Sequence, residues 1–293
     1  MGKLIQTQCL PLLFILVCSL TLYSSCGESG YGAPQGYDLR RPQKRELGKV
    51  LNEISGLAYN SDSNTLLAIS DSKGKIFSIN PTRGKLSDLA QKFYVSEEQP
   101  DYEDLVLLRD TVYVLISNGT LLAVPRGAKD SSGTKLYPFP SMEKNDFESL
   151  YYDPEVHSLV IICKSCAQEE GDSRGAYRFN LKTYTFDSAA FYTLDGTSVK
   201  ALVKNDDAKF RPSAAAIHPI TKQLYILASA GNLLVIADTR GKIIEAYNLN
   251  PDDHPQAEGI AFAPNGTMFI SNEGKYGKAT IQVFPYRQNR KKK

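Results

Sequence analysis

The feature that most constrains this chain is a hairpin-sized pattern that occurs five times along it. Each copy has a short apolar segment, a turn and a second apolar segment, and most of the turns are rich in Asn, Asp, Pro or Gly. The copies open at Ile54-Ser55-Gly56-Leu57, Tyr102-Glu103-Asp104-Leu105, Phe147-Glu148-Ser149-Leu150, Pro212-Ser213-Ala214-Ala215 and Ala257-Glu258-Gly259-Ile260. A repeated two-strand unit predicts an all-β fold of similar sheets.

The spacing of the copies indicates which all-β fold this is. Equivalent positions lie 48, 45, 65 and 45 residues apart, and four-stranded propeller blades repeat every 40 to 50 residues or so. The last copy has no fourth strand before the chain ends, whereas an unpaired segment, Arg45 to Leu51, precedes the first copy. We therefore predict a five-bladed β-propeller closed by an N-terminal strand. A sixth blade would need another hairpin, which we do not find.

The longest interval between copies contains an insertion. Between Asp195 and Asp207, the residues Val199, Leu202 and Val203 have helical spacing. We predict a short helix there, before the fourth blade.

The N-terminus has the features of an export signal. Lys3 precedes an apolar run from Leu10 to Leu22, which ends in Tyr23-Ser24-Ser25-Cys26. Small residues before a cysteine resemble the lipobox of bacterial lipoproteins, in which Cys26 would be lipidated, although Tyr23 departs from the usual aliphatic residue. The alternatives are an ordinary signal peptide and an uncleaved anchor. We predict a signal peptide over 1–25, a Gly-rich flexible tether over 26–36, the propeller over 37–286 and a basic tail over 287–293.

Composition excludes one class of partner. The 34 Lys and Arg residues nearly balance the 32 Asp and Glu residues, so no excess of positive charge favours nucleic acid. We expect a monomer that contacts a membrane only through its lipid.

Several motifs in the right order resemble one family. They are Asn52-Glu53-Ile54-Ser55-Gly56-Leu57, Phe147 to Tyr152, Pro212 to Pro219, Pro255 to Gly266 and Phe269 to Gly274. Over roughly Tyr37 to Tyr286 the chain is similar to the SdiA-regulated (YjiK-like) family. The resemblance implies an exported propeller that is often a lipoprotein, here expected at the cell envelope and in the outer membrane of a diderm bacterium. It implies no defined activity.

The repeat also predicts a site. Because the two strands of a hairpin are antiparallel, the start of the first lies beside the end of the second, and the innermost strands line the central channel. The predicted neighbours at the channel mouth are Ser55 with Asp71, Glu103 with Asn118, Glu148 with Lys164, Ser213 with Ser229, and Glu258 with Asn272.

Converging carboxylates repel one another unless a cation or hydrogen-bond donors compensate. The oxygen ligands of this set suit Ca²⁺, and the predicted metal ligands are Glu103, Glu148, Glu258, Asp71, Asn118 and Asn272. The predicted binding residues are Ser55, Lys164, Ser213 and Ser229. The alternative is that the glutamates accept backbone amides of neighbouring blades and only hold the ring together.

Cysteines and histidines give weaker signals. Cys163 and Cys166 flank Lys164 and are predicted to form a local disulfide, since a zinc site would need two further ligands. His157 and His218 fall in turns on the opposite face. His254 precedes Glu258 by four residues and could approach the mouth as a base, but we favour a loop histidine without a function there.

Two function classes follow from this site. The first is a noncatalytic binding protein whose mouth holds calcium and recognises a glycan, a small molecule or another envelope partner. The second is a metal-dependent hydrolase of an ester, lactone or phosphoester, by analogy with calcium-dependent lactonase and phosphotriesterase propellers. No nucleophile elbow, Walker loop or dinucleotide fingerprint indicates another enzyme, and we favour binding.

Overall fold

Five antiparallel sheets form the fold, and each begins with one copy of the sequence repeat. The computed structural model describes residues 2, 31–81, 92–94, 100–141, 143–275 and 277–288. The predicted signal peptide, apart from residue 2, and the predicted lipidation site Cys26 lie outside the described residues. In the described part of the chain, no helix is long and apolar enough to span a membrane.

The strands follow the chain blade by blade. They are β1 (Gln43–Glu46); β2 (Ile54–Asn60), β3 (Thr65–Ser70), β4 (Lys73–Ile79) and β5 (Lys92–Tyr94); β6 (Tyr102–Leu108), β7 (Thr111–Ile116), β8 (Leu121–Pro125) and β9 (Lys135–Tyr137); β10 (Phe147–Asp153), β11 (Ser158–Cys163), β12 (Ser173–Asn180), β13 (Thr185–Phe186) and β14 (Tyr192–Asp195); β15 (Ala214–Ile217), β16 (Leu224–Ala228), β17 (Leu233–Ala237) and β18 (Ile243–Asn248); and β19 (Ala257–Phe262), β20 (Met268–Asn272) and β21 (Thr280–Phe284). The five-bladed propeller predicted from the repeat is confirmed.

The N-terminal strand closes the ring. β1 pairs antiparallel with β21, with Gln43 opposite Val283 and Glu46 opposite Thr280, and becomes the outermost strand of the fifth blade. An N-terminal strand thus closes the fifth sheet, as predicted, and opening the ring would break this ladder. The strand begins earlier than the predicted segment Arg45 to Leu51 and ends at Glu46, because Lys49–Leu51 forms a 3-10 turn.

The third blade carries the insertion. Its outer edge is divided between β13, which pairs with the end of β12, and β14, which pairs with the start of β12. The predicted helix is present as α1 (Gly196–Val203). Asp195 caps it by accepting the Thr197 amide at 2.9 Å, and Lys204 ends it in the left-handed conformation.

Apolar side chains pack between neighbouring sheets, and polar side chains tie some of the inner strands together. The buried Asp104 carboxylate in blade 2 accepts the amide of Leu150 in blade 3 at 2.8 Å, and the Ser213 hydroxyl donates to the Ala257 carbonyl at 2.8 Å. Blades 1 and 2 approach so closely that a Cβ on Gly56 would lie 2.7 Å from the Asp104 Cα. Asp104 and Ser213 therefore link neighbouring blades, and of the three glutamates Glu258 also does so, by accepting the hydroxyl of Ser229.

The domain begins before Tyr37, which corrects the predicted tether. Pro34 is buried, the Tyr37 amide donates to the Pro34 carbonyl at 3.1 Å, and the Arg287 amide donates to the Gly36 carbonyl at 2.8 Å. Residues 31–36 of the predicted 26–36 tether are therefore part of the packed structure, because Pro34 and the aromatic ring of Tyr37 have apolar surface to bury.

Candidate functional site

A β-bulge places the repeated residue at the channel mouth. The register of the first hairpin shifts around Ser55, Glu103, Glu148 and Glu258, so in four blades the repeated residue is the extra one. A bulge bends the strand and re-aims a side chain. The sequence predicted that these residues lie at the mouth but did not predict the bulge.

Three carboxylates meet at the mouth between blades 2 and 3. One oxygen from each of Glu103, Asp146 and Glu148 lies within 4.8 Å of the other two. Two ligands of a cation that each stand about 2.4 Å from it are at most about 4.8 Å apart. The second oxygen of Glu148 is buried and has no hydrogen-bond partner in the described structure. The arrangement fits an oxygen-ligated cation.

The electrostatics of this group favour a positive partner. Burial first, and then the charges of Glu148 and Asp101, raise the pKa of Glu103 to about 10. Burial and the charge of Glu258 raise the pKa of Glu148 to about 8, against the opposing effect of Lys164. A cation bound here would favour the ionised forms of both carboxyl groups and so oppose these shifts.

Lys164 is the cationic side chain that pairs with Glu148. Burial lowers the pKa of Lys164, but the carboxylates of Glu148, Asp146 and Glu258 outweigh burial and raise it. The backbone fixes this lysine, because the Lys164 amide donates to the Asp146 carbonyl at 2.8 Å. A disulfide joins Cys163 to Cys166 and closes the short loop that carries Lys164.

Glu258 lies beside the group but is bonded across a blade boundary. It accepts the Ser229 hydroxyl of blade 4 at 3.0 Å, and the Ser229 amide donates in turn to the Ser213 hydroxyl at 3.2 Å. Burial raises the pKa of Glu258 to about 7, and the bond from Ser229 opposes the rise. Ser213 and Ser229 are thus neighbours, as predicted, and both lie at the mouth.

A second acidic group lies next to the first, since the charge of Asp101 acts on both Asp71 and Glu103. Burial raises the pKa of Asp71, and the charges of Glu53 and Asp101 raise it further. Burial and the charge of Asp71 likewise raise the pKa of Glu273. Asn272 next to it is buried, and its Oδ1 has no partner among the described residues. Asp71 is therefore a neighbour of the three-carboxylate group rather than a member of it.

The remaining predicted residues are less central. Asn118 is exposed and accepts the Thr120 amide at 2.9 Å, so its carbonyl shapes its own turn rather than joining the carboxylates. Ser55 is buried, and its hydroxyl donates to the Glu53 carbonyl at 3.4 Å. The His254 ring is buried against Phe284, which fits the favoured interpretation of a histidine that is not a base of the site.

Asp146 is the site residue that sequence reasoning missed, and a signal for it was present. It stands two residues before Glu148, and acidic residues occupy the same place before Ser55 and Glu103, as Glu53 and Asp101. These acidic residues stand just before the strands that carry the repeated residues, so the acidic position recurs with the repeat itself. Its recurrence is the signal for a second carboxylate near the mouth.

The channel below the mouth is apolar. A cavity of about 300 Å³ on the opposite face is lined by one stretch from each innermost strand, including Leu57, Leu105, Leu150, Ala215 and Ile260. One end of the channel therefore carries the carboxylates, and the rest of its lining is apolar. Apolar surroundings have a low dielectric constant, which strengthens charge interactions at the mouth.

Comparisons with known proteins agree with this architecture. A family model described as SdiA-regulated matches residues 32–275. The structure is similar to a glutaminyl cyclase from Myxococcus xanthus, with 12% identity, 84% of this chain and 96% of that chain covered, and a TM-score of 0.54. It is also similar to a luciferin-regenerating enzyme, with 10% identity, 84% and 95% covered, and a TM-score of 0.50. At such identities the likeness concerns the fold alone.

No curated protein matches the chain significantly in sequence.

Proposed function

Since the chain belongs to the SdiA-regulated family, we propose that it is an envelope-anchored, noncatalytic binding protein whose channel mouth holds calcium. The observation that carries the proposal is the group formed by Glu103, Asp146 and Glu148, whose oxygens lie within 4.8 Å of one another. The buried, unpartnered second oxygen of Glu148 supports it, because a buried carboxylate oxygen requires a compensating partner.

Calcium is the cation that best suits these ligands. All three offer only carboxylate oxygen, which favours a hard cation, and Ca²⁺ accepts an irregular set of six to eight oxygens whereas Mg²⁺ requires a near-ideal octahedron. Glu258 lies close enough to raise the pKa of Glu148 and adds negative charge to the same region. A bound calcium ion would order the bulged ends of blades 2 and 3 and present a positive centre to a ligand with oxygen donors.

Calcium titration of the full-length chain, purified in detergent and treated with a chelator, tests the proposal. We expect saturable binding by calorimetry and a rise of the melting temperature with calcium. The double variant Glu103→Gln/Glu148→Gln should lose both effects. The control Glu143→Gln/Glu155→Gln removes the same charge from exposed positions and should keep them. Absence of binding at millimolar calcium, or equal loss in both double variants, would refute the mouth site.

Envelope anchoring is supported by the sequence alone. The apolar run from Leu10 to Leu22 and the following Cys26 form the export and lipidation signal. Replacing Cys26 with serine should abolish metabolic labelling with a fatty acid and release the protein from the membrane fraction. Labelling that persists in the Cys26→Ser variant contradicts lipidation at this residue.

Hydrolysis is the second candidate function, and one observation favours it. Carboxyl groups with strongly raised pKa values, Glu103 and Glu148, lie at a concave mouth, where such groups often act as general bases. A panel of lactones, carboxylic esters and phosphoesters, assayed with calcium and with chelator, tests it. Turnover that requires calcium and disappears in Glu148→Gln would replace the binding proposal, and no turnover would leave binding as the function.

A further inference from the structure

A large cavity lies away from the mouth, on the opposite face between blades 2 and 3. Its volume is about 620 Å³, within the range of small-molecule sites. The turn after β6, the end of β10 with its turn, and the turn after β12 line it. It is an open cleft that the proposed calcium site does not use.

Tyr184 stands in this cleft at a backbone cost. Its φ is 56°, in the left-handed region, where the corresponding turns of blades 2 and 4 carry Gly127 at 78° and Gly241 at 87°. A bulky residue with this backbone costs on the order of 1 kcal/mol or more. Tyr184 is nevertheless 48% exposed, so about half of its surface stays open to a ligand.

A second ring holds Tyr184 in place. Tyr137 stacks on it with centroids 5.6 Å apart and planes 15° apart, and Phe179 contacts it edge-on at 6.4 Å. The ring that lines the cleft is therefore oriented in advance, with part of its surface open to solvent. Pre-oriented aromatic surface loses little entropy when a ligand binds.

Polar groups surround this aromatic surface. The Tyr152 hydroxyl and the Nδ1 of His157 are 3.1 Å apart, which orients the imidazole at the rim. Arg109, Asp110 and Lys182 also line the cleft. The rim therefore carries two cationic side chains, Arg109 and Lys182, and one anionic side chain, Asp110. The rim thus combines hydrogen-bonding groups with a small positive excess.

We infer that this cleft binds an acidic oligosaccharide, with Tyr184 as the stacking surface. The C–H face of a sugar ring packs on the negative face of an aromatic ring, while hydroxyl groups bond to the surrounding imidazole, carboxylate and guanidinium. Arg109 and Lys182 favour a sugar that carries a carboxylate. A purely apolar ligand would make no polar contacts with the charged rim. A neutral sugar would form no ion pair with Arg109 or Lys182.

Calorimetry with two matched probes tests the inference. A hyaluronan tetrasaccharide and chitotetraose both contain N-acetylglucosamine, but only the first carries carboxylates. We expect the full-length protein to bind the hyaluronan fragment in a saturable way and chitotetraose more weakly. Binding should persist in chelator, which separates this cleft from the calcium site. Equal binding of both probes would overturn the role of the cations, and binding of neither would overturn the inference.

Variants locate the binding surface. Tyr184→Gly removes the ring and relieves the positive φ, so it should fold at least as well while weakening binding about ten-fold or more. Tyr184→Phe should keep the affinity. Asn64→Gly, the control, changes another residue with positive φ, at a turn of blade 1, and should bind as wild type. Lys182→Gln should weaken the hyaluronan fragment but not chitotetraose. Unchanged affinity in Tyr184→Gly would refute the assignment.

Discussion

Replacing Tyr37 with phenylalanine tests how the N-terminal segment is fastened to blades 4 and 5. The Tyr37 hydroxyl donates to the Gly266 carbonyl at 2.5 Å and lies 2.7 Å from the Nε2 of His218. The other ring nitrogen, Nδ1, accepts the amides of Ile220 and Thr221 at 3.2 and 3.0 Å. The imidazole proton therefore resides on Nε2, which donates to the tyrosine oxygen.

The expected loss of unfolding free energy follows from the polar groups that lose their hydrogen-bond partner. Tyr37→Phe removes one oxygen and deprives two groups of a partner, the Nε2–H of the fully buried His218 and the carbonyl of Gly266. A buried polar group without a partner costs about 1 to 3 kcal/mol. The free energy of unfolding should fall by about 2 to 5 kcal/mol, which lowers the melting temperature of a domain of this size by about 5 to 15 °C.

Urea unfolding followed by circular dichroism measures this change. The control is Tyr286→Phe, which removes a hydroxyl from a ring that packs 5.2 Å from Tyr37 but for which the described structure shows no hydrogen bond. It should change the free energy of unfolding by less than about 0.5 kcal/mol. Equal effects of the two variants would show that ring packing, not the hydroxyl network, fastens the segment.

The same network predicts a pH dependence in the wild type. Burial, and then the charge of Lys222, lower the pKa of His218 from 6.5 to about 4. Because the folded state binds this proton less readily than the unfolded chain, the contribution of His218 is complete above pH 6.5 and is lost as the pH falls toward 4. The difference in the free energy of unfolding between the wild type and a His218→Gln variant should shrink as the pH falls across this interval, and taking the difference separates His218 from the carboxyl groups of the mouth.

Three further outcomes are expected. In chelator, the contribution of Glu148 to the free energy of unfolding, taken as the difference between the wild type and Glu148→Gln, should decrease as the pH rises from 4.5 to about 8, because the raised pKa of Glu148 means that the folded state holds the proton longer; calcium should flatten this difference. Asp104→Asn should cost about 1 to 3 kcal/mol in urea unfolding, since it loses an amide acceptor between blades, whereas the exposed Asp110→Asn should be neutral. Replacing Cys163 and Cys166 with serine should lower stability by about 2 kcal/mol, as a short closed loop predicts; unchanged melting would argue against this contribution.

The route by which the chain closes its ring was predictable because it depends on local patterns. Hairpins alternate apolar runs with turn residues, and the spacing of the hairpins fixes the number of blades. The missing fourth strand of the last blade then predicts that an N-terminal strand completes the fifth sheet, as β1 does. The helix α1 was predicted for the same reason, since its apolar spacing lies within one segment. The start of the domain was placed too late, because Pro34 is buried by distant residues that no local pattern reveals.

At the mouth, the sequence by itself determined which residues gather there, and the tertiary structure decided which of them meet. The repeat phase brought Glu103, Glu148 and Glu258 to one end of the channel. The bulges, the pairing of Glu258 with Ser229 of another blade and the approach of Asp146 to Glu103 depend on how sheets far apart in sequence twist and pack. A two-residue alternation cannot encode an extra residue in a strand. Packing sets the distances between blades. Only the folded ring therefore shows that Glu103, Asp146 and Glu148 are close enough to bind one cation, whereas the other acidic residues of the mouth are not part of this group.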